Sequence, residues 1–377
     1  MSTSLITRRR NPTVSWFELF YDLVVVAAIG LCNDVFVDDP SPLSALVAVI
    51  TMTSLAWVWL LTTLTVNAYP QWDGVRRILM VAQMALISVA GLSVSLEHGI
   101  EFATGHLAAA AVLAITAGLL FWSAYRAHEP VLWGVIVPVL VAAAILIAAA
   151  INPIVAPRWY LLAAVLVSAV PVLTTQFRKW QQQSRLRLEH LEERLGLFVI
   201  IVLGEGFVLL TAALHFLDSI PDGALYALMF VFAYALWWMY FGGTFSDNVD
   251  PGEVRWRLTL LGHLTLVLGI IGTLDLLVLF TAAQDPGNSE LVTAFLACVA
   301  TVLLSFALLE FAARGRLGPQ GWVQLASGLV VAASAVAVDH SAWSLAAIVT
   351  AGTVVVLANA AVAVVFDRQQ SESEVGG

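Results

Sequence analysis

Apolar runs of about twenty residues, separated by short polar stretches, recur along the whole chain. Twelve such runs begin near Val14, Leu43, Val75, Thr104, Val131, Arg158, Leu195, Gly223, Arg257, Ser289, Gln320 and Ala342. A helix crossing the bilayer core needs about 20 mostly apolar residues. The separators are rich in Pro, Asp, Gly and Arg, residues that punctuate helices and form turns. The pattern therefore predicts an all-α, polytopic bundle of twelve transmembrane helices. Twelve spans of about 20 residues take up roughly 240 positions. The rest is expected to be loops, one linker and two short tails, with no folded domain outside the membrane.

Composition sharpens this picture. The chain of 377 residues is 60% hydrophobic and 11% charged, with a mean hydropathy of +0.90, whereas a soluble domain carries roughly 25% charged residues. Lys and Arg in short loops mark the cytoplasmic side of a span. With Arg8, Arg9 and Arg10 inside, alternation also places Arg76, Arg77, Arg126, Arg178, Lys179, Arg185, Arg187, Arg194, Arg255, Arg257, Arg314, Arg316 and Arg368 inside, and only Arg158 outside. Sixteen of the seventeen basic residues then share one side, a bias that a wrong number of spans would scramble. Both termini are expected in the cytoplasm. Glu18 and Asp22 interrupt the first run and no small-x-small cleavage site follows, so that run reads as a retained span. The net charge of −9 and the confinement of arginines to flanking loops argue against nucleic acid. Cys32 and Cys298 form neither a disulfide framework nor a metal-binding spacing.

The longest cytoplasmic segment, 178–194, lacks Gly and Pro and reads as an amphipathic linker helix. It would join a first six-helix half, 1–177, to a second, 195–366, followed by a disordered tail at 367–377. Six spans per half make an internal repeat a parallel one. Trp57 to Arg77 and Trp237 to Arg257 share a spacing that sets Gln83 on His263 and Asn67 on Asp247, while Glu18 and Glu193 stand at corresponding entrances.

Ionisable groups inside hydrocarbon are expensive and usually face a partner or a water-filled cavity. Glu205 lies about ten residues into the seventh run, near 15 Å by helical rise and hence near the midplane. Glu18 and Asp22, four apart, share a face of the first helix. Two like charges there call for a cation, and Arg77, Arg194, Arg257 and His263 are available at similar depth. Glu18 and Glu193 are expected to pair with these arginines, either as gates or as structural staples. His263 is a candidate proton relay or a hydrogen-bonded packing residue. Asp275 could line an exit path or cap a loop. Trp237, Trp238 and Tyr240 read first as an interfacial aromatic belt, with solute stacking the second reading.

WFELFYDLVVVAAIG at 16–30, HLEERLGLFVIIVLGE at 190–205, ALWWMYF at 235–241 and RWRLTLLGHLTLVLGI at 255–270 resemble the signature segments of the bacterial low temperature requirement A family of membrane proteins. The resemblance covers about 12–365 and implies a multi-pass protein of the bacterial inner membrane; the family name records a growth phenotype and implies no chemistry. Gly206 stands where a small polar residue is expected after Glu205.

Several mechanisms lack their residues. There is no P-loop, and Lys179 is the sole lysine. The HLEE at 190 has no second His for zinc, and no G-x-S-x-G elbow occurs. No metal, cofactor or catalytic set is expected. The partners expected are the lipid bilayer and a small solute, with protons as the candidate coupling ion. An ion-coupled secondary transporter fits best, using Glu205, Asp22 and His263 with Asp275, Trp237 and Tyr240 as further binding candidates. An intramembrane enzyme on a lipid or apolar metabolite, with Glu205 and Asp22 as acid and base, is the alternative, and a membrane scaffold or sensor is the third.

Overall fold

A computed structural model describes residues 14–32, 41–70, 73–95, 100–152, 156–174, 188–213, 220–242, 253–282, 289–337 and 345–375. Among them are twelve α-helices and no strand. They are α1 (Trp16–Leu31), α2 (Pro42–Ala68), α3 (Gly74–Ser95), α4 (Ile100–Ala127), α5 (Trp133–Ile151), α6 (Pro157–Leu173), α7 (Leu188–Ala213), α8 (Ile220–Phe241), α9 (Glu253–Ala282), α10 (Ser289–Arg314), α11 (Pro319–Ala337) and α12 (Leu345–Val375). All but α7, which begins seven residues before the predicted Leu195, begin within a few residues of a predicted run. Eight of them are long and apolar enough by themselves to cross a membrane, and Arg158–Leu173, Tyr226–Phe241 and Ala347–Val362 are shorter apolar helices. The chain is an integral membrane protein built as a polytopic helix bundle.

Local sequence explains where several helices start and stop. Ser15 caps α1 in a capping box: its hydroxyl accepts from the Glu18 N–H, and the Glu18 carboxylate accepts from the Ser15 N–H. Ser41 and Ser44 do the same for α2, with Pro42 at the first helical position. Two boundaries differ from the sequence expectation. Leu188–Arg194, assigned to the linker, is continuous with α7, because HLEERLG contains no breaker before Gly196. The rest of the linker, 178–187, lies outside the described residues. The expected disordered tail is helical as far as Val375; its Arg, Gln, Glu and Ser residues carry no Gly or Pro to end the helix earlier.

Neighbours in sequence pack together within 1–6 and within 7–12: α3 on α4, α4 on α5, α5 on α6, then α9 on α10, α10 on α11 and α11 on α12. In the first group α1 also packs on α2 and α3, and α2 on α6; in the second α7 packs on α8 and α9, and α8 on α12. The two groups meet where α1 touches α7 and α2 touches α7 and α9. Side-chain contacts bring the N-termini of α3 and α9 beside the C-termini of α4, α6 and α10. Asp73 accepts from the Trp122 indole, Arg257 donates to the Leu173 and Thr174 carbonyls at the end of α6, and Arg255 lies against Gly315. This end carries most of the described arginines and is called the basic end below.

The α1–α3 seam depends on a glycine. A Cβ on Gly91 would stand 2.9 Å from the Ala28 carbonyl oxygen and 3.0 Å from Ala28 Cβ, both fixed to a helix rather than at the tip of a flexible chain. Small residues at such crossings let helices approach in lipid, where packing replaces the hydrophobic effect as the driving force. Gly91→Val should destabilise the bundle by about 1–3 kcal/mol, measured as a lower unfolding midpoint in mixed micelles.

Asp73 caps α3. Its Oδ1 accepts from the Arg76 N–H at 2.8 Å, and Arg126 lies 3.5 Å from Oδ2. The Arg76 amide, the Trp122 indole and the two guanidiniums hold its carboxyl below the usual value of 3.8. A depressed carboxyl stabilises the folded chain above its unfolded value and ceases to do so as pH falls through the folded one. Asp73→Asn should therefore weaken the protein at pH 7 and converge with wild type below about pH 3.8, in thermal unfolding followed across pH.

Candidate functional site

Four buried ionisable side chains meet where α1 crosses α7. Glu18 and Asp22 project from one face of α1, and His190 and Arg194, also four apart, from one face of α7. The acid pair thus faces a basic pair of the same spacing. Arg194 Nη2 donates to Asp22 Oδ1 at 2.5 Å, and its Nη1 lies 3.7 Å from Glu18 Oε1. His190 Nε2 is 3.9 Å from Glu18 Oε2. Asp22 and Arg194 are wholly shielded and Glu18 nearly so. Glu18 retains its cap bonds from the Ser15 N–H and hydroxyl, each at 2.8 Å.

Helix α2 closes the cluster with Trp59, Thr63 and Asn67, one helical turn apart on one face. The Trp59 indole N–H donates to Asp22 Oδ1 at 2.6 Å, and its ring stacks on Phe198 of α7 with centroids 3.8 Å apart. The Asn67 amide nitrogen meets His190 Nδ1 at 3.3 Å. Among the described residues, Asp22 Oδ2, the Thr63 hydroxyl and Arg194 Nε are buried without a hydrogen-bond partner, so this centre has polar capacity to spare.

Two polar threads flank it. On the α1–α4 side, the Tyr21 hydroxyl donates to Thr62, and Gln83 donates to both Thr62 (3.0 Å) and Thr116 (2.8 Å). On the α8–α9 side, Tyr240 and His263 Nε2 are 2.9 Å apart, and His263 Nδ1 lies 2.8 Å from the Thr259 carbonyl. A carbonyl only accepts, so Nδ1 carries the hydrogen and Nε2 accepts from the Tyr240 hydroxyl. Gln83 and His263, aligned by spacing in the sequence, each bond to the preceding helix. Their counterpart pair Asn67 and Asp247 is not comparable, since Asp247 lies outside the described residues.

A second polar level lies further into the bundle. Arg194 to Glu205 is eleven residues, about 16 Å along α7, and Asp22 to Gly30 is about 12 Å along α1. There a cavity of about 10 Å³ is lined by Gly30, Glu205, Gly206, Leu274 and Asp275, among others, with room for about one water molecule. Glu205, half-buried, makes no hydrogen bond or ion pair among the described residues. A Cβ on Gly30 would stand 3.8 Å from its Oε1. Gly206 packs on Leu274, whose Cγ would be 3.1 Å and Cβ 3.2 Å from an added Cβ, so a side chain after Glu205 would have to displace that leucine. A further cavity of about 10 Å³ lies between Trp59, Phe198 and His263, placing the Tyr240–His263 pair next to the central cluster.

The structure thus groups the candidate residues into a charged centre with Asp22, Glu18 and Arg194, a flank with His263 and Tyr240, and an inner cavity with Glu205 and Asp275. Trp237 stays apart, 38% exposed and stacked on Tyr234 at 5.8 Å. Glu193 and Arg77 are exposed and form no ion pair among the described residues, because helical phase turns them off the faces that carry Arg194 and Arg76. Arg257 bonds to carbonyls at the end of α6. His190, Trp59 and Asn67 were missed in the sequence. The available signal was the matching four-residue spacing of Glu18–Asp22 and His190–Arg194.

The family model for the bacterial low temperature requirement A protein matches residues 13–363. The chain is also 26% identical over 284 residues to an uncharacterized protein of Rhizobium meliloti (strain 1021), a match covering 69% of this chain and 67% of that protein.

Proposed function

Because the chain belongs to the bacterial low temperature requirement A family and is built around a charged seam inside a membrane bundle, we propose that it is an ion-coupled secondary transporter of a small solute in the cytoplasmic membrane. The observation that carries this reading is the Glu18–Asp22 and His190–Arg194 cluster, which ties the first group of six helices to the second at the α1–α7 crossing. A buried ion pair adds little net stability over apolar packing, so a selected reason for keeping four ionisable groups there is that they change partners.

The pattern of contacts supports two repeated halves. Packing of α1 on α2 and α3 and of α2 on α6 has its counterpart in α7 on α8 and α9 and in α8 on α12. Two parallel halves with polar groups at their junction suit alternating access by rocking of one half against the other. In this mechanism the α1–α7 cluster closes the basic end, which the positive-inside rule assigns to the cytoplasm. Glu205 and Asp275 line the deeper binding level, and Tyr240 and His263 form a side branch.

Untargeted profiling of cells and medium from a deletion strain, carrying wild type or Glu205→Gln at equal expression, tests the proposal. The expected result is one chemically unchanged compound that shifts between inside and outside on deletion, returns with wild type and fails to return with Glu205→Gln. A precursor and product moving in opposite senses would make the protein an enzyme. Equal complementation by both versions would remove Glu205 from the mechanism.

A further inference from the structure

The number of charges in the α1–α7 cluster is odd. Glu18 and Asp22 bring two carboxylates, and Arg194 is the single guanidinium within 4 Å of them among the described residues. Arg76, buried on the adjacent α3, is directed elsewhere: its guanidinium donates to the Tyr69 carbonyl and acts on Asp73. With a neutral imidazole at His190, the described residues leave one negative charge of the cluster uncompensated inside a helix bundle, a costly arrangement unless a cation joins it. The Ser15 donors and the N-terminus of α1 offset part of the Glu18 charge.

We infer that the Glu18–His190 pair is the binding site for one proton, which brings the cluster to neutrality and is the coupling ion of the transporter. The inference rests on the carrier reading only for the use made of the proton. Its geometry is specific. Asp22 faces Trp59 and Arg194 through Oδ1, whereas Glu18, besides its cap bonds from Ser15, is the acid that faces the imidazole, with Oε2 3.9 Å from His190 Nε2 and Oε1 3.7 Å from Arg194 Nη1. An amide nitrogen only donates, so Asn67 fixes His190 Nδ1 as an acceptor. The ring hydrogen is then on Nε2, facing Glu18. Uptake transfers a proton from a hydronium ion to Nδ1, breaking one O–H bond and forming one N–H bond with release of water; the Asn67 amide turns so that its oxygen accepts from Nδ1, and the imidazolium Nε2–H is left against the Glu18 carboxylate. Loss of the proton takes the charge out of the Glu18–His190 contact and leaves Arg194 as the one cation beside the two acids among the described residues.

Among the described residues, no other ionisable group offers the same service. Among the groups on the packed elements, Tyr21 of α1 bonds to Thr62; α2 contributes Trp59, Thr63 and Asn67, none charged; on α7, Glu189 and Glu193 are exposed and Glu192 acts on Tyr240; and His263 of α9 is engaged by Tyr240 and Thr259.

The test is nitrogen-15 NMR of histidine-labelled full-length protein in nanodiscs between pH 5 and 9, with His190→Gln to assign the signal. Glu18→Gln is the informative variant because glutamine preserves the capping box that starts α1, and its thermal midpoint reports that it folds. We expect His190 to titrate in this range and its midpoint to fall by about one pH unit in Glu18→Gln, the tenfold effect of removing a facing opposite charge. A His190 signal that stays in one state, or titrates identically in Glu18→Gln, overturns the inference. So does a His190 shift at pH 7 on replacing choline by sodium, which would make sodium the balancing cation. No solute is present in these measurements, so a failed proton site and a failed carrier are separate results.

Discussion

Arg194→Gln is expected to destabilise the protein by about 3–5 kcal/mol, the range for removing one partner of a buried ion pair. Arg194 is fully enclosed and its Nη2 is 2.5 Å from an equally enclosed Asp22. Glutamine cannot replace the cation, so Asp22 and Glu18 are left as two carboxylates one helical turn apart with no guanidinium between them. The loss therefore arises mainly from the orphaned acids rather than from the missing hydrogen bond. Asp22→Asn combined with Arg194→Gln removes that penalty and should recover more than half of it, since neutral replacements of a buried pair are commonly tolerated. Reversible unfolding in mixed micelles measures both. A single-variant loss below about 1 kcal/mol, or a double variant as unstable as the sum of its parts, contradicts a tightly coupled pair. The double variant also separates the two roles available to the cluster. A stable double variant that still moves the solute makes the cluster a staple; a stable one that no longer does makes it part of the gate.

Hydropathy made the membrane bundle legible, because a run of apolar residues long enough to span is a local property. The tenth helix was placed at Ser289 and begins there; the second was placed at Leu43 and begins at Pro42. Ends were harder where a helix outruns its apolar stretch, as α7 does by continuing from Leu188 through polar HLEER. Hydropathy sees the lipid-matched part, whereas the helix ends where a breaker or cap occurs. Glu18 and Asp22 announced themselves as charges in an apolar run. Their partners did not, because spacing fixes which residues share a face but not which helix that face meets. Within an amphipathic linker His190 is one polar residue among several; as the first turn of α7 it is buried against α1 and α2. Arg76 and Arg77 show how fine the distinction is, since a rotation of one residue along α3 encloses the first and exposes the second.

Trp59 offers the second large effect, and two substitutions there divide its roles. Its ring lies 3.8 Å from that of Phe198, its N–H supplies one of the two bonds to Asp22 Oδ1, and Arg194 stands 5.9 Å over it. Trp59→Ala should cost about 3–5 kcal/mol, the range for emptying a buried aromatic site. In lipid that penalty comes from lost contacts inside the bundle rather than from apolar transfer, since the tails around the protein are as apolar as its core. Trp59→Phe keeps a ring against Phe198 and loses the donor, leaving Asp22 with Arg194 alone, and should cost about 1–3 kcal/mol. The contrast extends to Arg194→Gln. If the indole and the guanidinium share the work of holding one carboxylate, Trp59→Phe in the Arg194→Gln background should cost more than in wild type, because Asp22 then loses its last donor. Equal costs in the two backgrounds would mean that Trp59 acts by packing on Phe198, with its bond to Asp22 contributing nothing to the seam between the halves.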